Sequence, residues 1–388
     1  MTPLNLKERV LGCLRYRRVD RMPVLHFGGW GETLTKWLDE GRLTPEEVER
    51  CRGQEGNSVL FRKLGFDGTW ADNTLFQPHN NLYPLFDSRV IETSLDGAKK
   101  VLTVEGVVVI QQPGATGIPA EVDHLLKDRA SWEYHYLPRV QFNEDRIRTA
   151  KVFTGTTWLT YDQGGREYLQ QENRQNICGI QCGSLFGAIR NWLGVEGSAY
   201  LLVDDELLFD EIIKTVGDLC YQCVEAVLRD GAKFDYAHFW EDICFKNGPL
   251  IAPAVFYAKV APHYRRITDL LLKYGVDIVS VDCDGKIDAL IPAWLDHGVN
   301  TMFPIEVGTW NASIKPWRAQ YGRALRGVGG MNKTVFARDR RAVELEIERL
   351  KPLVALGGFI PCPDHRIAPD AQWDLVRYYC DRMRAVFD

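Results

Sequence analysis

The sequence predicts an α/β protein, a (β/α)8 barrel of the TIM type. Three observations carry this: apolar strand-like runs alternate with amphipathic helical stretches, eight such runs can be counted, and several end abruptly in charged residues. The sharpest end is Val279-Ser-Val-Asp-Cys-Asp-Gly285, where alternating β-branched residues give way to two carboxylates, a thiol and a glycine. Asp235-Tyr-Ala-His-Phe-Trp-Glu-Asp242 and Gly357-Gly-Phe-Ile-Pro-Cys-Pro-Asp-His365 end in the same way. Polar tips on buried parallel strands place reactive side chains on one rim. A doubly wound open sheet is the alternative, weakened because no Gly-x-Gly-x-x-Gly follows the first strand.

Taken in order, residues 5–17 and 44–52 have helical patterns, and Arg21-Met-Pro-Val-Leu-His-Phe-Gly-Gly29 between them has that of a strand closing on a glycine turn. Residues 86–112 change character. Runs such as Arg89-Val-Ile-Glu-Thr and Val107-Val-Val-Ile-Gln-Gln are separated by Asp96-Gly97 and Glu105-Gly106, which predicts an inserted antiparallel hairpin or meander. A linker helix is expected over 119–129. Strands are then expected at 156–161, 177–182, 234–239, 278–282, 301–304, 326–329 and 358–361. The intervening helices fall at 206–229, 253–274, 287–297, 341–350 and 371–387. With the strand near Val24 the count reaches eight, and residues 1–388 form one expected domain carrying the 86–112 insertion.

The net charge of −5 is spread over interspersed acids and bases, which argues against nucleic acid as a partner. No apolar run approaches the roughly 20 residues of a membrane helix, and the amino terminus has the pattern of an amphipathic helix rather than a signal peptide. A cytoplasmic protein without membrane contact is the expectation. The closest useful cysteine pair, Cys220 and Cys223, lies inside a helical pattern, so free thiols are expected.

The opening Leu6-Lys-Glu-Arg-Val-Leu-Gly-Cys-Leu-Arg-Tyr-Arg-Arg-Val-Asp-Arg-Met-Pro-Val24, the segment Lys246-Asn-Gly-Pro-Leu-Ile-Ala-Pro253, and the 357–365 tip followed by Ala368-Pro-Asp370 resemble the uroporphyrinogen decarboxylase superfamily. That resemblance implies the barrel fold and two activities, haem-pathway decarboxylation or corrinoid-dependent methyl transfer. The decarboxylases carry an Arg-Gln-Ala-Gly-Arg-Tyr motif whose arginines hold substrate carboxylates. Here the region is His26-Phe-Gly-Gly-Trp-Gly-Glu-Thr33, without arginine, which counts against uroporphyrinogen. Zinc-dependent methyltransferases of the superfamily carry His-x-Cys-Gly and a late Cys. Asp282-Cys-Asp-Gly285 stands at the first place and His365 at the second. The resemblance therefore implies a methyltransferase moving a methyl group between a small O- or N-methylated substrate, or a folate, and a corrinoid protein. The corrinoid is expected on the partner, because no Asp-x-His-x-x-Gly motif is present. Zinc and tetrahydrofolate are the other candidate cofactors. His238, Asp284 and His365 are the candidate metal ligands.

Asp282 and Asp284 share one face of a strand, where two carboxylates can converge on a proton, a cation or an amine; helix-start capping is the structural alternative. His365, in a loop, is an expected proton carrier. Glu241 completes the catalytic candidates, although an acid at a turn also makes routine backbone hydrogen bonds. His26, Trp30, Asp162, Phe186, His238, Asp242, Glu306 and Asn332 are candidates for substrate binding, each near the end of an expected strand or just after one. A decarboxylase or lyase on another acid, and a non-catalytic small-molecule-binding barrel, are the rival readings.

Overall fold

Nine short strands, each parallel to its neighbours, organise the chain. They are β1 (Leu25–His26), β2 (Gly68–Thr69), β3 (Leu75–Phe76), β4 (Gly179–Gln181), β5 (Tyr236–Trp240), β6 (Val279–Asp282), β7 (Thr301–Phe303), β8 (Arg326–Met331) and β9 (Phe359–Pro363). This computed structural model describes residues 3–52, 58–71, 74–114 and 119–388. β3 to β9 form one sheet in the order β9-β8-β7-β6-β5-β4-β3, and β1 pairs with β2. Beyond β9 the chain returns to β1: the Ile367 amide donates to the Gly28 carbonyl at 2.9 Å, and the Trp30 amide donates to the Ile367 carbonyl at 3.1 Å.

Strands β6, β7 and β9 are buried at every position, as parallel strands covered on both faces must be. Their cover is helical. The helix Glu206–Arg229 begins where the Asp205 side chain accepts from the Leu208 amide, and it buries Leu208, Ile212, Val216, Cys220, Val224 and Val227 along one stripe. That stripe packs beside Ala261–Lys273, the next crossover helix. No helix among the described residues is long and apolar enough to cross a membrane.

Two expectations need correction. Trp158–Thr160, within the expected strand 156–161, pairs antiparallel with Lys151–Phe153 and lies outside the parallel sheet. The place beside β4 belongs to β3. The physical reason is burial: Leu75 and Phe76 are buried, whereas all three residues of Trp158–Thr160 are only half-buried. Second, the insertion is larger than 86–112. Arg89–Thr93, Lys99–Leu102, Val107–Gln111 and Ala120–His124 form a four-stranded antiparallel sheet, so a strand occupies the start of the expected linker helix. The exposed charges of Ala120–His124 suit an edge strand, which hides little of itself.

Arg146 fastens both stems of this insertion. Fully buried, its guanidinium donates to the carbonyls of Gln141, Asn81 and Tyr83 at 2.8, 2.7 and 3.4 Å, and also to those of His79 and Arg139. Arg146→Met strands these carbonyls without donors and is expected to cost roughly 3 kcal/mol. The check is a lower urea midpoint at unchanged m-value. Arg146→Lys is expected to recover little, since an ammonium lacks the planar fork that spans several acceptors.

Candidate active site

The carboxyl ends of β4, β5 and β6 present inward residues in two layers. Gln181, His238 and Ser280 lie side by side in register, and Trp240 and Asp282, two residues further along, form the next layer. A cavity of about 170 Å3 opens over them, lined among others by Phe27, Gln181, His238, Trp240, Asp282 and Arg366. Ser280 Oγ sits 2.6 Å from His238 Nδ1, so Nε2 is the ring nitrogen left without a partner among the described residues. Burial pushes the His238 imidazole down to about 3, so the ring is neutral at physiological pH.

Asp242, Asp282 and Asp284 bring carboxylate oxygens within 4.8 Å of one another. Asp242 adopts a left-handed backbone (φ +47°), and its Oδ1 accepts from the Asp284 amide at 3.0 Å. Asp284 Oδ2 lies 3.1 Å from His365 Nε2, and the His365 ring stacks on Trp30 with centroids 5.5 Å apart. Asp282 is only 7% exposed, and its carboxyl has no hydrogen-bond partner among the described residues. Burial, then the neighbouring Asp242 and Asp284, push the Asp282 carboxyl well above the ordinary carboxylate range. Burial and Asp284 raise Asp242 to about 6. Asp284 Oδ1 and His365 Nδ1 are buried atoms without a partner in the protein, as expected of groups that face a ligand or water.

Other candidates prove to hold the scaffold. Glu241, completely buried, accepts from the amides of Leu185, Phe186 and Gly187 at 2.8, 3.0 and 2.7 Å, from Ser184 Oγ at 3.2 Å, and from the Tyr264 hydroxyl. Its lone pairs are spent on the loop after β4, which removes it from the catalytic set. Phe186 contributes its amide to that network. Glu306 accepts from the Gly285 amide at 2.5 Å and from Thr309 Oγ1 at 2.8 Å, and Asn332 Oδ1 accepts from the Thr334 amide and hydroxyl at 3.1 and 2.7 Å; both are turn-forming. His26 accepts from the Gly28 amide through Nδ1 and stacks on Phe61 at 3.4 Å, beside a separate cavity that shares no lining residue with the first. Asp162 pairs with Arg148 at 2.8 Å in an outer groove lined by Tyr161, Arg166 and Asp230. It lies away from the cavity because its expected strand is not in the parallel sheet.

Comparison with solved structures places this geometry on a known fold. The chain resembles a methyltransferase from Methanosarcina mazei, with a TM-score of 0.55, 13% identity and 98% of each chain covered. The fold is shared. A weaker likeness links it to a protein described as a vitamin-B12-independent methionine synthase from Listeria monocytogenes: TM-score 0.35, 14% identity, 58% of this chain and 70% of that one. No family model matches the sequence, and no curated protein does.

The expected zinc ligands do not fit. His238, Asp284 and His365 do not converge; among the described residues the converging donors are the oxygens of Asp242, Asp282 and Asp284. All ten cysteines are buried. Cys283 lies between the two inward aspartates on the opposite face of the strand, and burial pushes its thiol and that of Cys362 well up. Oxygen donors without thiolate are a poor match for a zinc that activates sulfur. One residue that the sequence did not single out belongs to the site: Arg366, on the cavity wall beside His365. Its adjacency to a candidate imidazole was the available signal.

Asp242 gives a pH-dependent observable. Its folded-state value, about 6, lies above the ordinary 3.8, so the native state holds an extra proton between those values. This contribution to stability is therefore greatest in acid and is lost as pH rises from 4 through 6. Carboxyl 13C NMR is expected to show a midpoint near 6 that falls toward the ordinary value in Asp284→Asn, because a neighbouring negative charge is removed.

Proposed function

We propose that the chain is a methyltransferase of the uroporphyrinogen decarboxylase-like superfamily, built as one closed (β/α)8 barrel with an inserted four-stranded sheet. In this barrel the 68–76 segment fills the second strand position and the Ile367 hydrogen bonds join the last strand to the first. The shared fold supports the reading. The observation that carries it is Asp282: a buried carboxyl with no hydrogen-bond partner among the described residues, pushed toward its protonated form by burial, at the head of a cavity the size of one small ring. For scale, a dry cavity of about 150 Å3 accommodates benzene.

A methyl group on oxygen or nitrogen leaves only if the heteroatom is neutralised as the bond breaks. The bond's electron pair stays on the heteroatom, and Asp282 delivers the proton that neutralises it. Asp242 and Asp284, within 4.8 Å, connect Asp282 to His365, which restores the proton from solvent. His238 Nε2 and Gln181 orient the donor from the layer below. The electron pair that takes the methyl group would come from a reduced corrinoid on a separate protein, with tetrahydrofolate as an alternative carrier. Arg366 favours a second reading, a decarboxylase or lyase acting on a carboxylate that this guanidinium would hold.

The test is methyl transfer from methoxyaromatics, methylamines and methyltetrahydrofolate to a reduced corrinoid protein, followed alongside CO2 release from aromatic acids. Asp282→Asn keeps the shape but has no acidic proton, and is expected to lower kcat by roughly 100-fold or more. Transfer from none of these donors sinks the proposal. CO2 release without methyl transfer selects the second reading, and binding without any turnover selects a non-catalytic barrel.

A further inference from the structure

Arg366 is the one cation on the wall of the 170 Å3 cavity, and no carboxylate lies within ion-pairing distance of it among the described residues. This is unusual in its setting. Lys333, nearby, donates to the Arg366 carbonyl at 3.0 Å, and Arg190 donates to the Asp242 carbonyl at 2.6 Å, so other rim cations are tied to the backbone. The Arg366 guanidinium instead lies over the faces of Trp30 and Phe27, 5.8 and 5.9 Å from their centroids. Cation–π attraction at this distance draws the group toward the two rings, and its N–H groups make no hydrogen bond among the described residues.

The lining holds one acid, Asp282, and among the described residues it makes neither an ion pair nor a hydrogen bond with the arginine. Gln181 Oε1 is a further buried acceptor without a partner, on the same lining. Phe27 and Trp240 supply flat apolar walls.

We infer that Arg366 is a specificity-determining residue that binds the carboxylate of a small aromatic acid, with the ring between Phe27 and Trp240 and the methyl-bearing oxygen toward Asp282. This names the substrate class within the methyl-transfer reading and rests on it. An aromatic acid matches the arginine through paired N–H···O bonds, whereas a methylammonium ion meets a like charge.

Calorimetric titration of the purified chain without corrinoid tests the assignment, using 4-methoxybenzoate, its neutral amide and trimethylammonium. The benzoate is expected to bind at least about 10-fold more tightly than the amide, and trimethylammonium not to bind. Arg366→Gln is expected to lose that preference while binding the amide as before, and Arg366→Lys to keep part of it. Thermal melts confirm that both variants fold, as an exposed loop position predicts. Equal binding of acid and amide, unchanged benzoate affinity in Arg366→Gln, or no binding of any probe overturns the inference. Carboxylate-selective binding with no methyl transfer leaves the Arg366 assignment standing and removes the methyltransferase; transfer from neutral or cationic donors, unaffected by Arg366→Gln, does the reverse.

Discussion

The Glu241 carboxylate is the fixed point on which the site depends. It sits at the exit of β5 and receives three successive amides from the loop after β4, a serine hydroxyl, and the tyrosine hydroxyl of the Ala261–Lys273 helix. Burial raises its pKa, and the Tyr264 and backbone donors work in the opposite direction by favouring the ion. The loop can come so close only because residue 187 is glycine: a Cβ there would lie 1.9 Å from the Glu241 carbonyl oxygen. Breaking one partner of such a buried network leaves several donors unsatisfied, so the exits of β4 and β5 stand or fall together. Asp242 follows immediately, and its left-handed backbone turns its carboxylate toward the Asp284 amide.

From that anchor the neighbouring exits follow by direct contact. The Glu241 amide donates to the Asp282 carbonyl, and the Cys283 amide donates to that of Phe303, joining β5, β6 and β7 at their ends. Gly285 closes the β6 tip at φ +83°, where a Cβ would lie 2.4 Å from the Cys244 carbonyl oxygen; its amide is held by Glu306. Asp364 repeats the pattern after β9, accepting from the amides of Val307, Gly308 and Lys333. Acids at strand ends here divide into two groups. Those whose oxygens are filled by loop amides and hydroxyls shape the loops, and those left with open lone pairs gather at the β6 tip, where Asp282 lines the cavity. That division separates Glu241, Glu306 and Asp364 from Asp282 and Asp284 on physical grounds.

The same division explains what the sequence could reveal. The period-two spacing of Asp282 and Asp284 is local, so their shared inward face was legible, as was the strand alternation from residue 177 onward. Partners of Glu241 lie 23 to 57 residues away in sequence, and no local pattern distinguishes a satisfied acid from an open one. The place beside β4 was misassigned because Leu75–Phe76 is two residues long and offers no periodicity, while 156–161 imitates a strand that pairs only with its own hairpin. Asp162 and Glu241 lie off the cavity lining for these two different reasons. Arg366 was passed over because an arginine in a loop is ordinarily solvated; its place on the cavity wall, without an ion pair among the described residues, shows only in three dimensions.

The β6 tip also shows how geometry and chemistry come apart. Two inward donors at positions i and i+2, with a thiol turned outward between them, preserve the arrangement that a His-x-Cys tip would present, but with oxygen in both inward places. Buried oxygen donors that converge favour their protonated forms, and burial followed by the neighbouring acids raises Asp242 and Asp282 accordingly. A nitrogen and sulfur pair would favour a soft metal; a pair of crowded carboxyls favours proton delivery. The positions of donors on a strand end therefore constrain where chemistry can happen more strongly than which chemistry it is.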